Sequence, residues 1–572
     1  MSLRFILGRA NSGKSTLIYD EITRLVQSEP DGPPLWLLVP EQATFQAEQA
    51  LAERLGGIMR VRVVSFQRLA YNVLNSVSGA ALVPVGELGR SMLVRKVIEE
   101  KKKELKIFAR SASQPGFAEK IVSLVSELKR YRVKPDDLAS ALKNHAQLMQ
   151  PTLRNKLTDL HTVYACLQDQ YDGVSLDSDD SLEWLAEHVR DFDLIRSTTV
   201  WLDGFTGFTP QEYAVISALL GMSSVVVALT LDAAFTAAWL EMSHPFYTPW
   251  VTYSKLRQAS KHLSVACEQQ VLEYQEMSNK PRSKPLAYLE QTYLDRQFPP
   301  YEGEIGGDIC LVRAATRRVE VEAAAREIIR LCRDLGFKMR DICIVVRDIS
   351  LYEPLLSTVL PVHDIPFFLD KKREVQHHPL LELVRSILEA VLSDFPYEAT
   401  MRALKTDLFP ISRDEVDLLD NFSLSTGLRG SRWIDERPLT LANPETEAKL
   451  NVSRDKIAPY LRYIKIAVEK GDTVLDFAQG LYGFLDSLQA GTVLQAWANQ
   501  AESRTDMDTA LLHAQVYQSL LDLLDEMVRT LGTESIPFAS FVKVLDAGLS
   551  SISLGLIPPS LDQVIIAELG RS

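Results

Sequence analysis

Gly8-Arg9-Ala10-Asn11-Ser12-Gly13-Lys14-Ser15 satisfies every fixed position of the pattern G-x-x-x-x-G-K-[ST]. Its surroundings agree with it. Leu3-Arg4-Phe5-Ile6-Leu7 reads as a short buried strand, and Thr16-Leu17-Ile18-Tyr19-Asp20-Glu21-Ile22 opens an amphipathic helix. Strand, glycine turn and helix N-terminus together wrap backbone N–H groups around a β-phosphate. Gly8 and Gly13 allow the tight turn and the close backbone approach. Lys14 would reach the β- and γ-phosphates, and the Ser15 hydroxyl would hold Mg²⁺. Residues Gly8 to Thr16 are therefore expected to bind ATP with Mg²⁺. The bland alternative is a glycine-rich turn before a helix.

Working outward, Leu35-Trp36-Leu37-Leu38-Val39 is a second buried strand and Val61-Arg62-Val63-Val64 a third, with a helix between them. The first 70 residues thus alternate βαβαβ, the pattern of a parallel sheet flanked by helices. Ligands sit at the carboxyl ends of such strands. Gln42, Thr44, Phe45, Ser65, Phe66 and Arg68 all fall just beyond strand ends. Each is a candidate for binding or for ordinary strand-to-helix capping and packing. Thr198-Thr199-Val200-Trp201-Leu202 is another strand, and it ends in Asp203, 189 residues beyond Lys14. An apolar strand ending in Asp is where the Mg²⁺-side carboxylate should stand. The next residue is Gly204, where proteins with such a phosphate loop that hydrolyse nucleotides often carry a Glu that activates water, so no local base is evident.

The chain has 572 residues, more than one core usually covers, which predicts three or four domains. An apolar fraction of 46% and a charged fraction of 24% are those of an ordinary globular protein. The net charge of −13 argues against a surface that is basic all over, yet leaves room for a local basic channel. Cys166, Cys267, Cys310, Cys332 and Cys343 are scattered without C-x-x-C, which predicts reduced core thiols in a cytoplasmic protein. Residues 213–231 carry no charge, but Gly221-Met222-Ser223-Ser224 interrupts them. They read as a helix (211–220) and a buried strand (225–229), with no membrane span.

From about 80 to 190 the pattern is one of long helices. Asp177-Ser178-Asp179-Asp180 lacks the glycine and terminal Glu of a calcium loop and reads as a helix N-terminus. Lys101-Lys102-Lys103, beside Glu99, Glu100 and Glu104, reads as a solvated face. After residues 303–307, Asp308-Ile309-Cys310-Leu311-Val312 is expected to start a second βαβ unit. Its helix is 319–335, and its next strand, 342–346, ends in Arg347. Asp370-Lys371-Lys372-Arg373 follows the strand-like 366–369 and is a phosphate candidate, while His377-His378-Pro379 reads as a capped helix start. Helices dominate 381–550. The chain then ends in a strand, 563–567, and a turn with no following helix, which predicts a truncated chain.

Two α/β blocks, each interrupted by helices, with the glycine loop in the first, resemble the layout of superfamily 1 DNA helicases. More narrowly, Pro40-Glu41-Gln42-Ala43-Thr44-Phe45, Ser65-Phe66-Gln67-Arg68-Leu69, Asp203-Gly204-Phe205-Thr206-Gly207-Phe208-Thr209-Pro210 and Ile365-Pro366-Phe367-Phe368-Leu369 with His378-Pro379-Leu380 resemble the AddB components of bacterial AddAB helicase–nucleases. The resemblance implies an α/β fold with two RecA-like parallel-sheet domains. The first comprises 1–78 and 190–300, with a helical insertion at 79–189. The second comprises 301–390 and, incomplete, 551–572, with a helical insertion at 391–550. It also implies that Gly8, Gly13, Lys14 and Ser15 form the nucleotide loop, that Asp203 helps hold Mg²⁺, and that Arg347 aims at the γ-phosphate. Gln42, Thr44, Phe45, Phe66, Arg68, Phe205 and Phe208 would line a single-stranded DNA path. The implied partners are single- and double-stranded DNA and an AddA-type helicase–nuclease partner, with no membrane. The implied role is end processing for recombination with a scan for a hotspot sequence. The family's nuclease motif and its four iron–sulfur cysteines have no counterpart here. An autonomous helicase, a scaffold for a partner motor and a small-molecule kinase are the competing readings. Gly204 and the incomplete second domain weigh against the first of these, and the long Lys14–Asp203 separation against the last.

Overall fold

The structure, a computed structural model, describes the chain apart from residues 78–86, 112–113, 115, 146–148, 172–178, 197, 238, 273–282, 295–297, 370–372, 505, 555–561 and 570–572. It forms two compact units, Met1–Arg282 and Ser283–Ser572.

The first unit is built on six parallel strands: β1 (Ser2–Gly8), β2 (Leu35–Leu38), β3 (Val61–Val64), β4 (Thr199–Leu202), β5 (Ser224–Thr230) and β6 (Ala266–Val271). Their order is β3-β2-β4-β5-β1-β6. β1 lies between two partners, with Leu3 opposite Val225 on one side and Cys267 on the other. A strand so placed must be apolar on both faces, and Leu3, Phe5, Ile6 and Leu7 are fully buried. Helix α1 (Lys14–Ser28) packs Ile18 and Ile22 on the sheet with Leu35, Leu37, Val63 and Trp201. Each such aliphatic side chain contributes about 1.5–3 kcal/mol by leaving water. One polar group sits against this core. Glu21 accepts from the Trp201 indole N–H at 3.3 Å and pairs with Arg4, so its carboxylate is satisfied. Helices α2 (Thr44–Leu55) and α3 (Phe66–Val77) follow β2 and β3. The expected strands at 3–7, 35–39, 61–64 and 198–202 are all present within a residue or two, as are the helix and strand in 213–231. Among the described residues, no helix is long and apolar enough to cross a membrane.

The helical block between β3 and β4 is tied by buried charge. Asp159 is 1% exposed, and its carboxylate accepts the N–H groups of Lys106, Ile107 and Phe108 at 2.7–3.0 Å. Asp179 pairs with Arg90, and Asp180 with the buried Lys129 at 2.7 Å. The acidic run thus serves ion pairs within the block. Asp180 precedes the helix Ser181–His188 without capping it through its side chain. Asp177 and Ser178 lie outside the described residues.

The second unit has a three-stranded parallel sheet ordered β7 (Cys343–Val346), β11 (Val564–Glu568), β8 (Phe367–Leu369), and a short antiparallel pair, β9 (Arg373–Glu374) with β10 (Ser553–Leu554). Helices Arg317–Leu335 and Ile349–Val362 cover the sheet through Val321, Ile328, Leu356 and Leu360, which meet Val564 and Ile566. The terminal strand, expected from its apolar run, is central to this sheet. The expected strand Asp308–Val312 is absent. These residues are irregular, and Leu311 is 98% exposed. A hydrophobic run becomes a strand only where a ladder partner exists, and this one has none among the described residues. The cysteines also differ from expectation. They are free, but Cys267, Cys310 and Cys343 are exposed and the other two half-buried, so none is a core thiol. Asp370, Lys371 and Lys372 lie outside the described residues.

His378 opens the helix Pro379–Leu392 as expected. Its Nδ1 accepts the Leu380 N–H at 3.1 Å, and its Nε2 lies 2.9 Å from His513 Nδ1. Burial, with His513 beside it, pushes the His378 imidazole down to about 4. A neutral buried histidine stabilises the fold above its unfolded value of about 6.5, and that stability is lost as pH falls towards 4. Hydrogen exchange at the amides of residues 380–392 should therefore show protection falling between pH 6.5 and 4, by at most about 3 kcal/mol. His378→Asn, which retains a cap but does not titrate, should flatten that slope. A slope unchanged in the variant would contradict this account.

Candidate nucleotide and nucleic-acid site

The glycine loop leaves β1 at Gly8 and enters α1 at Lys14. Asn11 (φ 61°) and Gly13 (φ 86°) take left-handed conformations that bend the chain back. A Cβ at Gly8 would come within 2.3 Å of Ser12 Oγ and 2.8 Å of the Leu272 carbonyl, so only glycine fits there. Lys14 donates to the Gly8 carbonyl (2.9 Å) and the Arg9 carbonyl (2.7 Å), which holds its ammonium over the loop. Ser15 and Thr16 are exposed on the first turn of α1, beside helix N–H groups that lack intrahelical partners. Arg9 turns aside to pair with Asp232 at 3.2 Å, its guanidinium 5.7 Å from the Phe246 ring centre.

Asp203 ends β4, one strand removed from β1 because β5 lies between them. Two strand spacings place the strand ends about 10 Å apart. The carboxylate is buried, and its backbone N–H is fixed on the Leu38 carbonyl at 3.0 Å. Lys14 feels it. Burial pushes the ammonium down to about 8, and the Asp203 charge opposes that fall. Tyr19 stands in the same field, pushed up by burial and then by Asp203. A loop with left-handed turns, a glycine cradle, a lysine, a first-turn hydroxyl and a carboxylate across one strand is a donor set that fits a Mg²⁺–nucleoside triphosphate. Arg347 belongs to the second unit, where it is exposed directly after β7.

The candidate DNA residues gather at the ends of β2, β3 and β4. Phe66 is 4% exposed and lies beneath Phe205 and Phe208, with ring centres 5.5 and 5.9 Å away. Phe205 and Phe208 are half-buried, 5.0 Å apart, and Phe208 continues to Tyr213 at 5.7 Å. Gln42 and Phe45 are exposed, Phe45 at 72%. Arg68 reaches over Glu41 (3.8 Å) and Glu48 (3.9 Å). Thr44 is buried, its hydroxyl spent on the Glu41 carbonyl at 2.8 Å. A cavity of about 350 Å³ opens here, lined by Pro40, Phe66, Phe205 and Gln211, and by Arg130 from the helical block. Sequence reasoning misses Arg130 and Gln211, because nothing local signals that their helices meet this edge.

Gly204 follows Asp203 at φ 81°, and a Cβ there would stand 3.2 Å from Pro40 Cδ. The turn that presents Phe205 and Phe208 therefore favours glycine.

Parallel sheets with a glycine loop after one strand and an aspartate after another define the class of RecA-like α/β proteins. Comparison with known proteins narrows this. The family description "ADDB, N-terminal" matches residues 5–290. The chain is 41% identical to the B subunit of the ATP-dependent helicase/deoxyribonuclease of Heliobacterium modesticaldum, across 100% of this chain and 48% of that protein. It is 39% identical to the protein of the same name from Geobacillus thermodenitrificans, across 100% and 51%. The chain belongs to the AddB N-terminal family. It spans about half the length of the curated relatives it matches.

Gly204→Ala should destabilise the first unit by about 1–2 kcal/mol, since an L side chain in the left-handed region carries that cost even before the Pro40 contact. Chemical denaturation of a variant that keeps Trp201, buried on β4, as its one tryptophan, followed by fluorescence, measures it. No change in midpoint would show that the turn relaxes freely.

Proposed function

We propose that the chain is the ATP- and DNA-binding N-terminal part of an AddB-type helicase–nuclease component. In this reading it processes double-strand DNA ends for homologous recombination and scans single-stranded DNA for a hotspot (Chi-like) sequence. It works with an AddA-type partner that supplies the main motor. Family membership and the relatives' names support the assignment to such a complex. The observation that carries the division of labour is the Asp203–Gly204 turn. A carboxylate stands where Mg²⁺ would be held, and the next position, at φ 81° against Pro40, disfavours the acidic side chain that would activate water.

ATP with Mg²⁺ would supply a phosphoanhydride and the charge to be neutralised. The chain's own residues then have separate tasks. The backbone between Gly8 and Ser15 surrounds the phosphates, and Lys14 places a positive charge on them. Ser15 and Asp203 would hold the cation. Phe205 and Phe208, propped from below by Phe66, offer π-faces for unpaired bases. Phe45 and Gln42 lie beyond the end of β2 and Arg68 beyond the end of β3, where phosphates and base edges would pass.

DNA-stimulated ATP turnover by this chain alone should be negligible. Turnover in a complex with the AddA-type partner should be substantial and barely altered by Lys14→Ala. Robust turnover by the isolated chain that Lys14→Ala abolishes would instead mark an autonomous motor. Phe205→Ala and Phe208→Ala should each weaken single-strand binding by roughly 1–3 kcal/mol per stacked base. Anisotropy titration of a labelled oligonucleotide reads this, and unchanged affinity in both variants would make these rings packing residues only.

A further inference from the structure

The helices of the second unit line an open cavity of about 620 Å³ that neither the glycine loop nor the aromatic shelf involves. Its lining includes Trp497, Arg504, His513, Arg402, Arg413 and Lys405. Volume alone would say little, but the side chains are arranged. Because His378 Nδ1 accepts the Leu380 N–H, its proton sits on Nε2 and is donated to His513 Nδ1 at 2.9 Å. His513, neutral, must then carry its own proton on Nε2, which makes it an N–H donor among the residues that line the cavity. The same imidazole meets the Trp497 indole edge-on, centres 5.5 Å apart at 68°, which holds the half-buried indole as a fixed plane.

The carboxylates around the cavity are already engaged. Glu382 pairs with Arg402 at 3.1 Å, and Asp407 with Arg413. Asp506 accepts the Thr509 N–H at 3.1 Å, opening the helix Met507–Leu531. Lys405 is taken by Asp420 at 2.6 Å. Arg504, exposed at the end of the helix Ala490–Ser503, has no ion pair among the described residues. One wall therefore presents an aromatic plane, an imidazole N–H and a guanidinium not committed to a carboxylate. That combination suits one nucleotide of a strand, with its base stacked and its phosphodiester on the guanidinium.

We propose that the Trp497–Arg504–His513 cavity is a second single-stranded DNA contact, taking one nucleotide with its base on Trp497 and its phosphate between Arg504 and the His513 Nε2–H. This rests on reading the chain as DNA-binding. The shelf at Phe205 and Phe208 and this cavity then belong to different units of the chain, and each holds its own stretch of strand.

The test is titration of the whole chain with an oligothymidylate of about 16 nucleotides over a range of salt concentrations. Trp497→Ala should weaken binding roughly 5- to 150-fold, and Trp497→Phe, which keeps a π-face, should recover most of it. Arg504→Ala, at an exposed position, should lower the slope of log affinity against log salt by roughly 0.7–1. A purely structural role would not move that slope, and an unchanged slope overturns the proposal even if Trp497→Ala fails to fold. Thymidine monophosphate binding as tightly as the oligonucleotide would also overturn it in favour of a free-nucleotide pocket. If both cavity variants bind like wild type while Phe208→Ala binds weakly, the cavity contact fails and the DNA-binding reading stands. If Phe208→Ala also binds like wild type, both fall.

Discussion

The first unit depends on β1 being an interior strand whose neighbours arrive more than 200 residues later. Leu3 pairs across to Val225 and Cys267, so the strand that feeds the phosphate loop is locked only when β5 and β6 are in place. Loop-closure entropy grows only logarithmically with length, so this long-range closure costs little more than a short one. The helical block between β3 and β4 can therefore be inserted without loosening the sheet. Burial of Leu3, Phe5, Ile6 and Leu7 on both faces makes β1 a rigid base. The left-handed turns at Asn11 and Gly13 are themselves exposed and follow directly from that base.

Features with a backbone reason were legible in the sequence. Gly8 and Gly13 announce a turn that other residues cannot make, and Asp203 stands out because a charge ends an apolar run. His378-Pro379 announces a cap. What was not legible depends on partners distant in sequence. Residues 309–312 have the composition of a buried strand, yet they are exposed because no ladder receives them among the described residues. The reverse case is β6, Ala266-Cys267-Glu268-Gln269-Gln270-Val271, too polar to be read as a strand. It is an edge strand, mostly exposed, and needs only its hydrogen bonds to β1. In the same way, sequence groups Thr44 and Phe66 with the DNA-facing residues, but burial puts both beneath that surface. Thr44 serves the start of α2, and Phe66 supports Phe205 and Phe208. Arg130 and Gln211 reach the cavity only through tertiary packing.

Gly204 joins the two halves of the site. Its positive φ turns the chain sharply after β4, where Phe205 and Phe208 meet Phe66, which follows β3, one strand removed across β2. A residue with a side chain would be strained there and would press on Pro40. The geometry that builds the aromatic shelf therefore disfavours an acidic side chain after Asp203.

Asp203 also acts on the charge of Lys14. Lys14 is sufficiently buried that its ammonium is pushed down to about 8, and the Asp203 carboxylate is the charge that resists this. Without Asp203 the lysine would lose its proton more readily, and the loop would lose the positive charge on which phosphate binding depends. A site relieved of hydrolysis but still required to bind would thus keep Lys14 and Asp203 as an electrostatic pair. In the reading proposed above, Lys14 and Asp203 beside a glycine at 204 suit a loop that holds a nucleotide.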